Sequence, residues 1–301
     1  MRIAFLSPGL PWSWGPYQYQ AATVARELSR KSHSIIWISL LSALKNRTYT
    51  VHDLMKLSDG SNEMHHPLMG VPVVYRGTGV AECRGVKGMY TSTLNAMLFD
   101  QRADALVSLM DHLRVFADVP IAVPSLAWFP DHYASLDVHH RHVFAAYTDI
   151  VALSPSSRDK VRKELPWKRV AHVPHVVTLP PDARIRDRSA MRIALHVPAD
   201  AFVVFVNFGN YDSCHNRKSI DIALLAFRNL LNVAPTAKIV IHAMATEHVF
   251  GGSKTSARAS PGIDVPSLCR EANLPADSYL LHTDLLPYAE VLERITWHGI
   301  T

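Results

Sequence analysis

The sequence predicts an α/β fold with parallel sheets, divided into two domains, and three features predict it. Strand, loop, helix and strand follow one another within the first forty residues. Apolar runs of strand length then alternate with amphipathic stretches along most of the chain. After a proline-bearing polar stretch, "LPPDARIRDRSAMRIALHVPAD" (Leu179–Asp200), the same pattern starts again. A strand–helix–strand unit needs a right-handed crossover, and so a parallel sheet.

The elements follow in order. "RIAFLS" (Arg2–Ser7) is a buried strand, and the Pro-, Gly- and Trp-rich "PGLPWSWGPYQ" is its loop. "YQAATVARELSRK" (Tyr19–Lys31) places Ala22, Val24, Ala25 and Leu28 near helical spacing, and "HSIIWISL" (His33–Leu40) is a second apolar strand. Residues 44–70 are polar and without a period. "VPVVYRG" (Val71–Gly77) reads as a strand, "MYTSTLNAMLFDQR" (Met89–Arg102) as a helix, and "ADALVSL" (Ala103–Leu109) as a strand followed by "MDH". "PIAVPSLAWFP" (Pro120–Pro130) is a strand ending in Asp131 and His132. "HHRHVFAAY" (His139–Tyr147) is helical, "DIVALS" (Asp149–Ser154) is a strand, and "SSRDKVRKEL" is a helix with a serine or proline start. "RVAHVPHVV" (Arg169–Val177) closes this half.

The polar stretch at 179–200 is read as a linker and entry, which sets the expected domains at 1–185 and 186–301. Beyond it, "FVVFVNF" is a strand, "SIDIALLAFRNLLNVAP" (Ser219–Pro235) a helix and "AKIVIHAM" (Ala237–Met244) a strand. A short helix "VPSLCREANL" (Val265–Leu274), a strand "SYLLHTD" and a helix "LPYAEVLERI" complete the series, so the second domain is expected to hold three strands.

Composition bounds the rest. With 48% apolar and 19% charged residues, the 301-residue chain can bury a real core. No run approaches the ~18 apolar residues of a membrane span. "MRIAFLSPGLPW" reads as a first strand and turn rather than a signal peptide. Cys83, Cys214 and Cys269 are scattered, odd in number and without a CxxC pair, which supports neither a disulfide framework nor a cysteine zinc site. A reducing compartment, the cytoplasm, is expected. The net charge of +5 suits anionic small molecules or lipid heads. The cations form no stripe interleaved with aromatics, which argues against nucleic acid. Their densest run, Ser156–Arg169, reads as a solvated helix face.

The motif richest in chemistry is "VNFGNYDSCHNRKSIDIALLAFRNL" (Val206–Leu230). Arg217 and Lys218 stand where a buried strand hands over to a helix. Cations at a helix N-terminus oppose its dipole unless an anion lies between, so a diphosphate explains the pair. Arginine would grip it with two prongs and lysine as a point charge. A solvated pair on a loop is the equal alternative. The loop holding Gly9 and Gly15 is not a GxGxxG fingerprint, which weakens a nicotinamide or flavin reading, although Gly15 can still bring backbone close to a phosphate. Asp131 with His132, and Asp111 with His112, follow strands at the ligand-facing edge, where either histidine could meet a sugar hydroxyl or a proton. "HHRH" (His139–His142) is expected on a helix surface, since His139 and His142 lack a third ligand for a metal.

Several pieces together resemble the retaining, nucleotide-sugar-dependent glycosyltransferases of family 4, whose GT-B fold pairs two Rossmann-like domains. The pieces are "RIAFLSPGLPWSWGPYQYQAATVARELSRKSHSIIWIS", "AWFPDH", "DIVALSPSSRDKVRKE" with "VAHVPHVV", and "NFGNYDSCHNRKSIDIALLAF". The resemblance covers nearly the whole chain in order. It implies an acceptor-side first domain and a second domain that binds the nucleotide sugar. It places Gly15 against the donor phosphate or the acceptor, and His132 with Asp131 at the donor sugar. Arg217 and Lys218, assisted by Asn210, would hold the diphosphate and stabilise the leaving group's charge, without a metal or cofactor. The implied partners are a nucleotide-sugar donor and an acceptor that is a glycan, a lipid or a small molecule, with peripheral membrane contact suited to the basic surface.

The chain departs from the family at Val176 and at Ser219, where glycines are usual, and in "TWHGIT", where a strand and a glutamate pair are usual. The last departure leads to an expectation of a truncated second domain and impaired catalysis. The alternative function is a non-catalytic nucleotide-sugar or diphosphate-binding protein.

Overall fold

The computed structural model describes residues 1–11, 16–40, 48–49, 73–78, 82–83, 86–130, 135–175, 189, 192–193, 197–209, 218–244 and 263–283. The chain divides into two compact units, Met1–Val177 and Thr178–Thr301.

In the first unit, β1 (Arg2–Ser7), α1 (Pro16–Arg30) and β2 (Ser34–Ser39) form the opening strand–helix–strand. Next come β3 (Thr48–Tyr49), β4 (Val73–Gly77), β5 (Glu82–Cys83), β6 (Val86–Lys87) and β7 (Met89–Tyr90), then α2 (Thr91–Asp100) and β8 (Ala105–Leu109). The series closes with β9 (Val115–Phe116), β10 (Ser125–Phe129), α3 (Val138–Ala146), β11 (Asp149–Ala152), α4 (Pro155–Glu164) and β12 (Arg169–His172). Eight strands join in the order β12-β11-β10-β8-β1-β2-β4-β3. Every pairing is parallel except β3 with β4. This is a doubly wound sheet, and its strands are apolar almost throughout because both faces are covered.

Alternation along the strands feeds two cores. Ala4, Leu6, Ile36, Ile38, Leu106 and Phe129 meet residues of α2, α3 and α4, among them Leu94, Phe144 and Val161. Ile3, Phe5, Ile35, Trp37 and Trp128 meet Ala21, Ala22 and Ala25 of α1. The three alanines are essentially inaccessible to water, and their small size lets α1 lie close on the sheet. The strand expected from Pro120 begins only at Ser125, since Pro120 and Pro124 have no N–H to give a ladder.

Helix starts follow local capping chemistry. Ser154 Oγ accepts from the Ser157 N–H with Pro155 in the first turn of α4, and Asp137 accepts from the His140 N–H at the start of α3. α2 takes its cap from a distance. Asp118 accepts from the Ser92 N–H at 2.9 Å and from the Thr91 hydroxyl at 2.8 Å. Burial pushes this carboxyl up, but the hydrogen bonds from Ser92 and Thr91 outweigh it and hold it at about 2.

The second unit is smaller. β13 (Val203–Gly209), α5 (Ile220–Leu230), β14 (Lys238–Met244), α6 (Val265–Glu271) and β15 (Tyr279–His282) build a parallel sheet in the order β13-β14-β15. Leu224 and Phe227 of α5, with Cys269 of α6, cover Ile239 and Ile241 on one face. Val197 and Ala201 pack with Val203 and Val240 on the other. The helix expected over 286–295 lies outside the described residues. Among the described residues, no helix is long and apolar enough to cross a membrane.

The short β7–β9 pairing leaves no room at Gly88. A Cβ there would lie 2.6 Å from the Arg114 carbonyl oxygen and 2.6 Å from the Phe116 ring. Gly88→Ala is expected to destabilise the fold by ~1–3 kcal/mol, the usual cost of overpacking. Urea unfolding of the variant beside the parent checks this, and equal midpoints would count against the packing described.

Candidate functional site

Strand order reverses at β1. The chain adds β2 and β4 on one side, then returns to place β8 on the other. The carboxyl ends of β1 and β8 part at this point, and such crevices are where open α/β sheets take ligands. Gly9, just past β1, accepts from the Trp37 indole N–H at 2.9 Å. The Tyr17 hydroxyl, in the first turn of α1, donates to Asp111 Oδ1 at 2.9 Å. Asp111 lies two residues beyond β8. His175, three residues past β12, packs edge-on against Tyr17 and Trp128, with ring centres 6.4 Å and 5.7 Å away. Desolvation lowers its pKa, and its Nε2 is buried without a hydrogen-bond partner. The Trp128 indole N–H donates to the Val173 carbonyl at 3.2 Å, which ties the stretch after β12 to the end of β10.

Tyr17, Asp111, Trp128 and His175 therefore gather at one edge of the sheet. Asp111 was legible in the sequence as a residue after a strand. His175 belongs to the "VAHVPHVV" segment of the family resemblance, and nothing in its spacing announced that it packs on Tyr17. Gly15, Asp131 and His132 lie outside the described residues.

His112 takes a different place from the one expected. It is 1% exposed, on the α2–α3 side of the sheet, with Nε2 2.9 Å from Ser108 Oγ and its ring edge-on to Phe144 and Tyr147. Burial first, then the neighbouring His140, pushes its pKa down to about 3. It is a neutral core histidine, so it cannot exchange protons with a ligand near neutral pH. The "HHRH" run is also corrected in part. His142 is exposed, but His139 is half-buried and His140 only 4% exposed, because α3 turns them toward the connection after β8. Among the described residues, no group of three or more His, Cys, Asp or Glu could hold a metal ion.

In the second unit, Lys218 is exposed and stands two residues before α5. Ser219 between them adopts φ 50° and ψ 42° and makes no side-chain cap hydrogen bond. A left-handed residue is where glycine would be free of strain, so serine at this position bears a cost of about 1 kcal/mol. Asn207, His242 and His282 stand in register across β13, β14 and β15, and His242 Nδ1 is 2.9 Å from Asn207 Oδ1. Asn210 and Arg217 lie outside the described residues.

No protein-family model matches the chain, and no curated protein matches its sequence. Solved structures do match. A trehalose-6-phosphate structure from E. coli, bound with UDP-2-fluoro glucose, aligns with a TM-score of 0.60 and 10% identity over 99% of this chain and 76% of that one. A glycosyltransferase from Rickettsia africae aligns with a TM-score of 0.56 and 9% identity over 97% and 70%. A UDP-GlcNAc 2-epimerase from Neisseria meningitidis, bound to UDP-GlcNAc, aligns with a TM-score of 0.51 and 11% identity over 97% and 75%. At such identities the likeness shows the fold alone, which is the expected α/β, GT-B-like one with parallel sheets.

The neutral state of His112 has a consequence for stability. Below about pH 6.5 the unfolded chain protonates this residue, whereas the folded chain does so only near 3. The contribution is fully present above ~6.5 and is lost as pH falls, at up to ~1.4 kcal/mol per pH unit. His112→Asn tolerates the positive φ and does not titrate. Urea unfolding at about pH 7 and about pH 4.5 should show a smaller loss in the variant than in the parent. An equal loss would contradict a neutral, buried His112.

Proposed function

We propose that the chain is a glycosyltransferase that moves a sugar from a nucleoside diphosphate to an acceptor hydroxyl. One observation carries this reading. The likeness to a glycosyltransferase and to two structures holding a UDP-sugar runs over at least 97% of the chain, not over one Rossmann-like unit. The finer reading, a retaining enzyme of family 4, rests on the sequence resemblance.

In this reaction the bond from the anomeric carbon to the diphosphate oxygen breaks, and the electron pair stays on that oxygen. The acceptor oxygen takes its place on the same face of the sugar, its O–H bond breaks, and the proton passes to the departing diphosphate. Arg217 and Lys218, with Asn210, are assigned to the diphosphate, where their charge lowers the barrier to its departure. The exposed position of Lys218 just ahead of α5 supports this, since the helix dipole adds positive charge at the same end. His132 and Asp131 are assigned to the donor sugar and Gly15 to the donor phosphate or acceptor. Asp111 and Tyr17 join them as further groups at the first unit's ligand edge. No metal or cofactor is required in this scheme. The acceptor belongs to the glycan, lipid or small-molecule classes, and a basic surface suits one bearing phosphate.

The epimerase shares this fold, so binding and transfer need separate tests. Calorimetric titration with UDP-glucose and UDP-GlcNAc is expected to show saturable binding. Arg217→Ala/Lys218→Ala is expected to weaken it at least ~10-fold, as loss of charge-assisted hydrogen bonds does. Unchanged affinity in the double variant would refute the diphosphate assignment. Binding without donor consumption across glycan, lipid and small-molecule acceptors would replace the transferase by a nucleotide-sugar-binding protein.

A further inference from the structure

The first turn of α3 is fastened to the connection between β8 and β9 by two histidines. His139 Nε2 lies 3.3 Å from the carbonyl oxygen of His112, and His140 Nε2 lies 3.3 Å from that of Asp111. A carbonyl can only accept, so both ring nitrogens must donate. The second nitrogen of His140, Nδ1, is 2.8 Å from Asp137 Oδ1. Asp137 is the N-cap of α3, and the hydrogen bond from the His140 backbone N–H leads the effects that hold its carboxyl below the usual range. An ionised carboxylate also only accepts. The two bonds of His140 therefore coexist only while both ring nitrogens carry hydrogen, which makes the ring a cation. His140 itself is 4% exposed, whereas the Asp137 side chain stays open to water.

What this ring holds is a tight turn. His112 has φ 57°, and the turn is closed locally by the Val115 N–H donating to the His112 carbonyl at 3.2 Å. The carboxylate of Asp111, next in the chain, is the group that receives the Tyr17 hydroxyl at the sheet's crevice. The turn also carries Arg114, and His112 stays neutral near pH 7 for the reasons given above. On α3 itself the charged or titratable neighbours are Asp137, His139, Arg141 and His142. From α4, Glu164 accepts from the Leu136 N–H at 3.1 Å and from Arg141 at 2.8 Å, which anchors the approach to α3 from the far side.

We infer that His140, supported by His139, is a positioning residue that clasps the Asp111–His112 turn to α3 in a proton-dependent way. When His140 gives up its second ring hydrogen, the bond to the Asp111 carbonyl or the bond to Asp137 is lost. The turn then loosens, and the seat of the Asp111 carboxylate against Tyr17 loosens with it. The clasp does not depend on the transferase reading and stands or falls separately.

Ring-nitrogen NMR of the full chain across neutral pH, with backbone amide shifts followed in parallel, tests it. The expected result is one shared transition, in which the pH where His140 loses a ring hydrogen is the pH where the amides of Asp111 to Val115 move. Asp137→Asn keeps a good helix cap but removes the anion, and is expected to move both events together to lower pH. His140→Gln keeps one N–H donor and cannot titrate, and is expected to abolish the amide transition while the spectrum stays folded. Amides that stay in place through the His140 titration, or a transition that survives in His140→Gln, would overturn the inference.

Discussion

The parallel pairing of β1 on both sides, with β2 on one edge and β8 on the other, is the constraint from which the rest of the first unit follows. A six-residue strand with five buried positions can be satisfied only by neighbours on both edges and helices on both faces. Because the second neighbour is β8 and not the next strand in sequence, the chain must cross over β1. That crossing opens the crevice in which Tyr17 meets Asp111. The ligand edge is thus a product of strand order, and its polar residues are placed by backbone topology before any side chain adjusts.

The strands were legible in the sequence because the burial that makes them continuous also makes them apolar. β1, β2, β8, β11, β13 and β14 lie within or beside the expected runs. Helix α1 starts earlier than its apolar spacing suggests, at Pro16, since proline suits a first turn where its missing N–H costs nothing. The polar residues were harder to read. His112 and Asp111 are adjacent and looked equivalent, yet the positive φ at His112 sends the two apart. One enters the core beside Ser108, and the other faces Tyr17. Backbone sign at a single residue carries no periodic signal. The same holds for His140, where a run of four basic residues looked solvated until α3 turned one of them inward. His175 depends on packing between segments more than a hundred residues apart, and local pattern cannot show that.

The helix starts are not all capped alike. Asp137 and Asp118 in the first unit, and Asp264 in the second, accept from backbone N–H groups at helix starts. In the second, α5 begins with Ser219 in a left-handed conformation and no side-chain cap hydrogen bond. The difference matters for the proposed chemistry. Ser219 puts no charge at that end, although Asp221 in the first turn of α5 sets one carboxylate near the same dipole.

The capping of α2 carries a consequence for how the chain acquires its shape. Ser92 receives its acceptor from Asp118, 26 residues later. During synthesis, Thr91–Asp100 is therefore polymerised before the carboxylate that orders its first turn has been joined to the chain. Tyr90, the residue ahead of the helix, offers no hydrogen bond of its own, so the beginning of α2 stays frayed while its end can already be wound. The strand that follows it, β8, must find β1 with a helix still open at one end. The first turn of α2 is thereby completed by a residue that belongs to neither element.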